Sequence, residues 1–197
     1  MQLHPRIIKQ VVTQVPKRKE AKRGYVSSAV LMLFFNRGDE TYLVYIRRTK
    51  GMKLHSGHMA FPGGKIDPED TSSFVTAARE TFEEIGVKTD SYDYLGEMGF
   101  FETLTSNYDA AAHVAWSPRE PVYSINPVEV AEIVEFPLRE LQRQFQTDLD
   151  LSHDTDIYYL NFHYQPDHQE TANLWGLTAR ITHHFLSGLN RCLQETS

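Results

Sequence analysis

Apolar and polar positions alternate along most of this chain, and they do so in two distinct periods. Residues 24–35, GYVSSAVLMLFF, are rich in β-branched and aromatic side chains and predict a strand. NRGDE then supplies turn chemistry before TYLVYIRR, so the two runs predict a hairpin. DYLGEMGFFETLTS and AAAHVAWS read as two further strands with SNYD between them, and SPREPVYSINP reads as a loop. VEVAEIVEFPLRELQRQFQ follows as a strand leading into a helix. DIYYLNFHYQP is an alternating aromatic strand whose rings are assigned to a core rather than to an adenine shelf, and a last helix starts around LWGLTARITHHFLSGLNRCL. Strands, one central helix, more strands and a long terminal helix predict an α/β fold with a mixed sheet between helices.

The central helix is the informative one. It lies in FPGGKIDPEDTSSFVTAARETFEEIGV, residues 61–87, with Thr71 or Ser72 as N-cap and Gly86 as the residue that ends it. At roughly 100° per residue, Glu80, Glu83 and Glu84 share one sector, while Phe74, Ala78, Thr81, Phe82 and Ile85 are expected on the other side. Three carboxylates at helical spacing repel one another, so the face calls for a cation. Magnesium or manganese fits, because hard divalent ions favour carboxylate oxygen and water and share the phosphates of a substrate. Arg79 is placed to orient a neighbouring carboxylate through its planar fork. Gly63 and Gly64 allow the preceding turn to pass a ligand or metal with no side chain in the way.

Upstream, Arg47, Arg48, Lys50 and Lys53 bring four cations towards the acidic helix, where they suit phosphates that metals do not reach. His55 and His58 form a His-x-x-His pair, too small a ligand set for zinc beside so many carboxylates. Near the start, Lys17, Arg18, Lys19, Lys22 and Arg23 put five cations into seven residues. Residues 1–23 are therefore read as a basic N-terminal extension, a solvated arm, with lining of the site or a subunit contact as the alternative, and 24–197 as one domain.

Composition narrows the class without changing this picture. The 197 residues are 41% hydrophobic and 23% charged, as expected of a globular domain, and no apolar run reaches the roughly 20 residues of a membrane span. The start of the chain lacks the pattern of a secretory signal, and the single cysteine, Cys192, fits a reducing cytoplasm. A net charge of −6 argues against nucleic acid as a partner and leaves room for a small anionic substrate.

The stretch around the helix resembles the Nudix box, G-x(5)-E-x(7)-R-E-U-x-E-E-x-G-U with U aliphatic, at Gly64, Arg79, Glu80, Glu83, Glu84, Gly86 and Val87. Asp70 stands where the first glutamate belongs, eight residues rather than seven separate it from Arg79, and Thr81 replaces an aliphatic residue. Asp67, Asp70 and Thr76 to Glu80 are similar to the coenzyme A pyrophosphatase branch of that family. Arg47, Gly57, Phe61, Pro62, Gly63 and Gly64 resemble its upstream signature, with Lys53 for a second arginine, and Trp175 to Arg180 resemble its W-G-x-T-A-R element. Asn107 and Ala112 depart from the branch pattern.

The resemblance implies a Nudix α/β/α sandwich and a pyrophosphohydrolase using Mg²⁺ or Mn²⁺. The substrate would be coenzyme A or acyl-CoA, and the products 4′-phosphopantetheine, or its acyl form, and adenosine 3′,5′-bisphosphate. It implies Glu80, Glu83 and Glu84 as metal ligands. With Arg79 and Glu129 these make up the catalytic set, Glu132 and Glu102 being alternatives to Glu129. Arg47, Arg48, Lys53, Phe61, Gly63 and Gly64 become the substrate-binding set. Hydrolysis of ADP-ribose, NADH or another nucleoside diphosphate derivative, and a nucleotide sensor without catalysis, are the rival functions; a homodimer stays open. The W-G-x-T-A-R element is expected to pack the last helix on the sheet, with Arg180 exposed or paired to an acid.

Overall fold

The computed structural model describes residues 1–49, 57–103, 106–145 and 160–195; Lys50, Lys53, His55 and residues 156–159 of the aromatic run lie outside them. The predicted hairpin is present as β1 (Val26–Arg37) and β2 (Glu40–Arg48), antiparallel with Arg37 opposite Glu40. Two short strands follow, β3 (Met59–Ala60) on β2 and β4 (Gly63–Lys65) on β1. After helix α2 (Ser73–Ile85) come β5 (Asp93–Glu102), β6 (Tyr108–Ser117) and β7 (Val130–Pro137). β7 pairs with β2, and β6 runs parallel to β1 while the other pairings are antiparallel, so the sheet is mixed. Helix α3 (Leu138–Gln144), the small ribbon of β8 (Phe162–Tyr164) and β9 (Ala172–Leu174), and helix α4 (Gly176–Glu195) complete the chain.

The period-2 pattern of β1 decides how the layers stack. Ala29, Leu31, Leu33 and Phe35 pack on the face covered by α2, with Ala77, Ile85 and Val87. Met32 and Phe34 point the other way into the larger core, with Phe185, Leu186 and Leu189 of α4. Helices thus cover both faces of a mixed sheet, an α/β sandwich. Among the described residues no helix is long and apolar enough to cross a membrane.

Two expectations need correction. Residues 1–15 are not part of a solvated arm, although the basic residues after them are exposed. They open with helix α1 (Pro5–Gln14), whose Ile8, Val11 and Val12, with Leu3 and Val15, are buried in the larger core. Helical spacing of 8, 11, 12 and 15 makes one apolar stripe, and Gly188 of α4 lets α1 approach closely: a Cβ there would lie 2.4 Å from Val15. The basic run that follows is tied down, with Arg18 donating to the fully buried carboxylate of Asp109 and Lys22 paired with Glu102. In α2, Phe82 is half exposed and Glu84 is buried, because Ala77, Thr81, Glu84 and Ile85 form the stripe that meets the sheet. Arg180, at the first turns of α4, donates to the backbone carbonyl of Glu102, 2.6 Å away.

A buried α1 predicts that Ile8→Ala lowers unfolding free energy by about 2–5 kcal/mol. Urea unfolding of the full chain checks this; a loss below about 0.5 kcal/mol, typical of surface positions, would place α1 outside the cooperative unit.

Candidate active site

Helix α2 begins where expected, Ser72 Oγ accepting from the Val75 amide, and ends at Gly86 in the left-handed conformation at φ +74°. Beyond it the loop 118–129 folds back and caps the helix: the amide of Ser124 donates to Ile85 O at 2.8 Å and that of Asn126 to Glu84 O at 2.9 Å. The loop ends at Glu129, whose charge adds to the raised proton affinity of both Glu80 and Glu84. Glu129 also accepts at its backbone carbonyl from the Thr49 amide, at 2.9 Å, which fixes the end of β2 beside it.

The glycine pair is used in two ways. Gly63 sits at φ +153° against β1, where a Cβ would meet Ala29 O at 2.3 Å, and its amide donates to Glu84 Oε2 at 2.9 Å. Gly64 makes room for Glu80: a Cβ there would lie 2.3–2.5 Å from the carboxylate group. The turn before the helix is therefore a seat for two of its carboxylates.

Arg79 extends this network on the outer side. Its Nε and Nη2 donate to the two oxygens of Asp70 at 3.2 and 3.0 Å, and its Nη1 donates to Glu80 Oε1 at 3.0 Å and Glu83 Oε2 at 3.3 Å. Thr76 Oγ1 also donates to Asp70, at 2.8 Å. The Arg79 fork, then the Thr76 hydroxyl, holds the Asp70 carboxyl well below the usual carboxylate range. Sequence reasoning assigned Arg79 to Glu80 and missed that Asp70 anchors it from behind; the D-x-x-D spacing of Asp67 and Asp70 was the available signal.

Glu84 is the deepest member, 1% exposed, and its second oxygen faces Arg48 Nη1 at 3.4 Å. Burial pushes its carboxyl from 4.5 up to about 8, against the Gly63 hydrogen bond and the Arg48 charge, with Glu80 and Glu129 adding to the rise. Burial likewise raises Glu80, though Arg79 opposes it. Among the described residues no group of three acids, histidines or thiols is gathered closely enough to hold a metal ion; Glu80 and Glu83 spend lone pairs on Arg79 instead. The donor set itself suits a hard cation, being all carboxylate and mutually repulsive.

The predicted substrate-side residues separate. Arg48 reaches the cluster because successive side chains of β2 point to opposite faces of the sheet, which puts it on the face that carries Glu84. Arg47 points to the opposite face, where it pairs with Glu132 and donates to the carbonyls of Glu170 and Thr171 at 3.0 and 3.3 Å. Phe61 is core, stacked on Tyr45 with ring centroids 4.6 Å apart. Neither side chain meets the carboxylate cluster. Glu132 and Glu102 are taken up by Arg47 and Lys22, which leaves Glu129 as the outlying acid whose charge bears on the cluster.

Residues 26–155 match the family model of the NUDIX domain. The chain is 28% identical over 162 residues to a probable Nudix hydrolase of Schizosaccharomyces pombe, covering 82% of this chain and 55% of that protein, so it spans about half of that relative's length. It is 31% identical over 166 residues to the Nudix hydrolase NudL of Yersinia enterocolitica, covering 83% of this chain and 81% of the relative. The crystal structure of a MutT/nudix family protein from Enterococcus faecalis superposes with a TM-score of 0.55 at 15% identity, over 98% of this chain and 76% of that one, a likeness of fold.

The raised Glu84 carboxyl has a signed consequence for stability. The folded protein holds this proton more tightly than the unfolded chain, so the group's contribution is full below about pH 4.5 and is lost as pH rises through about 8. With chelator present, Glu84→Gln should gain on the parent by a few kcal/mol between pH 5 and pH 8.5, since each tenfold difference in proton affinity between the folded and unfolded chain is worth about 1.4 kcal/mol. Calorimetric unfolding across that range checks it; a constant difference would contradict the buried, repelled carboxylate.

Proposed function

The chain belongs to the Nudix family, and we propose that it is a divalent-metal-dependent pyrophosphohydrolase that cleaves the diphosphate of coenzyme A or an acyl-CoA. The observation that carries this reading is the seating of Glu80 and Glu84 against the Gly63–Gly64 turn, with the Arg48 guanidinium on Glu84. Support for coenzyme A comes from the resemblance of the 47–64 segment, Asp67–Glu80 and Trp175–Arg180 to that branch.

Glu80, Glu83 and Glu84 would hold Mg²⁺ or Mn²⁺, which supplies Lewis acidity at the diphosphate and lowers the pKa of a bound water. The protein's own groups do the remainder. Gly63 N–H fixes the Glu84 carboxylate, Arg79 keeps Glu80 and Glu83 in one orientation, and Asp70 keeps Arg79 in place. The Arg48 guanidinium is placed to take a phosphate oxygen. Glu80 or Glu129 accepts the proton of the attacking water, Glu80 being suited by its raised proton affinity. Water adds at phosphorus, the anhydride bond breaks, and 4′-phosphopantetheine and adenosine 3′,5′-bisphosphate leave.

Purified protein incubated with coenzyme A, ADP-ribose and NADH in Mg²⁺ or Mn²⁺, with products separated by chromatography, tests the substrate. Coenzyme A should yield adenosine 3′,5′-bisphosphate; turnover of ADP-ribose or NADH alone would favour the rival substrates. Glu83→Gln should lower kcat by about 100-fold or more, with an unchanged unfolding midpoint, since its side chain is half exposed. Gly64→Ala should also lower kcat, because the added methyl displaces the Glu80 carboxylate. Near-normal turnover in either variant would contradict the assigned roles.

A further inference from the structure

Trp175 stands apart from the packing role its sequence element suggests. Its indole is 46% exposed, whereas the other tryptophan, Trp116, is buried. It lies between β9 and the first residue of α4, where Gly176 at φ +58° turns the chain. Its ring meets that of His58 edge-on, with centroids 4.6 Å apart and an interplanar angle of 71°.

Its neighbours tie this aromatic pair to the acidic site. The Arg48 amide donates to His58 O at 3.0 Å, and the Gly57 amide to Arg48 O at 3.1 Å, so His58 sits on the strand end that carries the phosphate-facing arginine. Thr178 Oγ1 donates to Met59 O at 3.2 Å, which clamps the first turn of α4 to the segment running through Phe61 and Pro62 to Gly63. Gly63 in turn holds Glu84. The exposed ring is thus attached through two short, hydrogen-bonded links to the place where a diphosphate would be held.

We propose that Trp175, steadied by His58, is the platform on which the purine base of the substrate stacks, with Arg48 serving the phosphates next to it. A planar, half-solvated indole offers a face that gains by covering a base, and stacking of this kind needs no hydrogen-bond code. The assignment rests on the reading of the substrate as a nucleoside diphosphate derivative. It adds which end of that substrate lies beside α4.

Adenosine 3′,5′-bisphosphate is a suitable probe, because it carries adenine and has no anhydride to cleave. Its binding to the full chain, to Trp175→Ala and to Trp175→Phe is measured by equilibrium dialysis, with methylenediphosphonate and 4′-phosphopantetheine as base-free ligands. Trp175→Ala should weaken the bisphosphate about tenfold or more, while Trp175→Phe, which keeps a stacking face, stays within about threefold of the parent. Methylenediphosphonate and 4′-phosphopantetheine should bind all three alike, and only the bisphosphate should quench the parent's tryptophan fluorescence.

Parent-like bisphosphate binding by Trp175→Ala would overturn the assignment. So would an equal loss of bisphosphate and methylenediphosphonate, or a loss confined to 4′-phosphopantetheine. No turnover is read, so a protein that leaves coenzyme A intact yet loses adenine binding in Trp175→Ala refutes the reaction and keeps the base platform.

Discussion

The structure depends on a carboxylate buried where it is poorly compensated. Glu84 is almost fully removed from water, yet among the described residues its partners are one backbone amide and one arginine at 3.4 Å, with the charges of Glu80 and Glu129 opposing its ionisation. A fold selected for stability alone would place an apolar residue at this position of the helix. The surroundings are instead arranged to keep the acid there. Gly63 adopts a conformation that suits glycine, Gly64 gives up its side chain to Glu80, and the loop 118–129 returns across the helix end and finishes at Glu129.

Two layers of support hold that arrangement in place. On the solvent side, Arg79 joins Asp70, Glu80 and Glu83 into one network, so the helix face behaves as a unit rather than as separate side chains. On the far side of the sheet, α1 and α4 fill the larger core around Phe34, Tyr45 and Phe136, and the β1–β2 strands that carry Arg48 and receive β4 are fixed between the two cores. The N-terminal residues belong to this support: Arg18 and the Lys22 amide both reach the buried Asp109 of β6.

Much of this was legible in the residues. The hairpin, the capped acidic helix and the strand before α3 follow from period and turn chemistry, and the Nudix resemblance gave the layered fold. The carboxylate sector was legible because helical geometry is rigid. What escaped the sequence was direction. Arg47 and Arg48 look equivalent until sheet alternation sends one to Glu132 and the other to Glu84. Phe61 reads as a substrate contact and packs on Tyr45, while Phe82 reads as core and faces solvent. The apolar stripe of α1 was masked by the basic run behind it, in which Arg18 and Lys22 pair with acids about 80 or 90 residues away in sequence. Such long-range pairings leave no local signal.

The central claim is that this acidic face exists to hold a divalent cation, and calorimetric titration of Mn²⁺ into the full chain at pH 6 and pH 8 tests it most directly. Binding should be tighter at pH 8, accompanied by proton release because burial pushes the Glu84 carboxyl up to about 8, and weakened about tenfold or more in Glu84→Gln. Absence of binding at pH 8, or equal affinity in the parent and the variant, would contradict it.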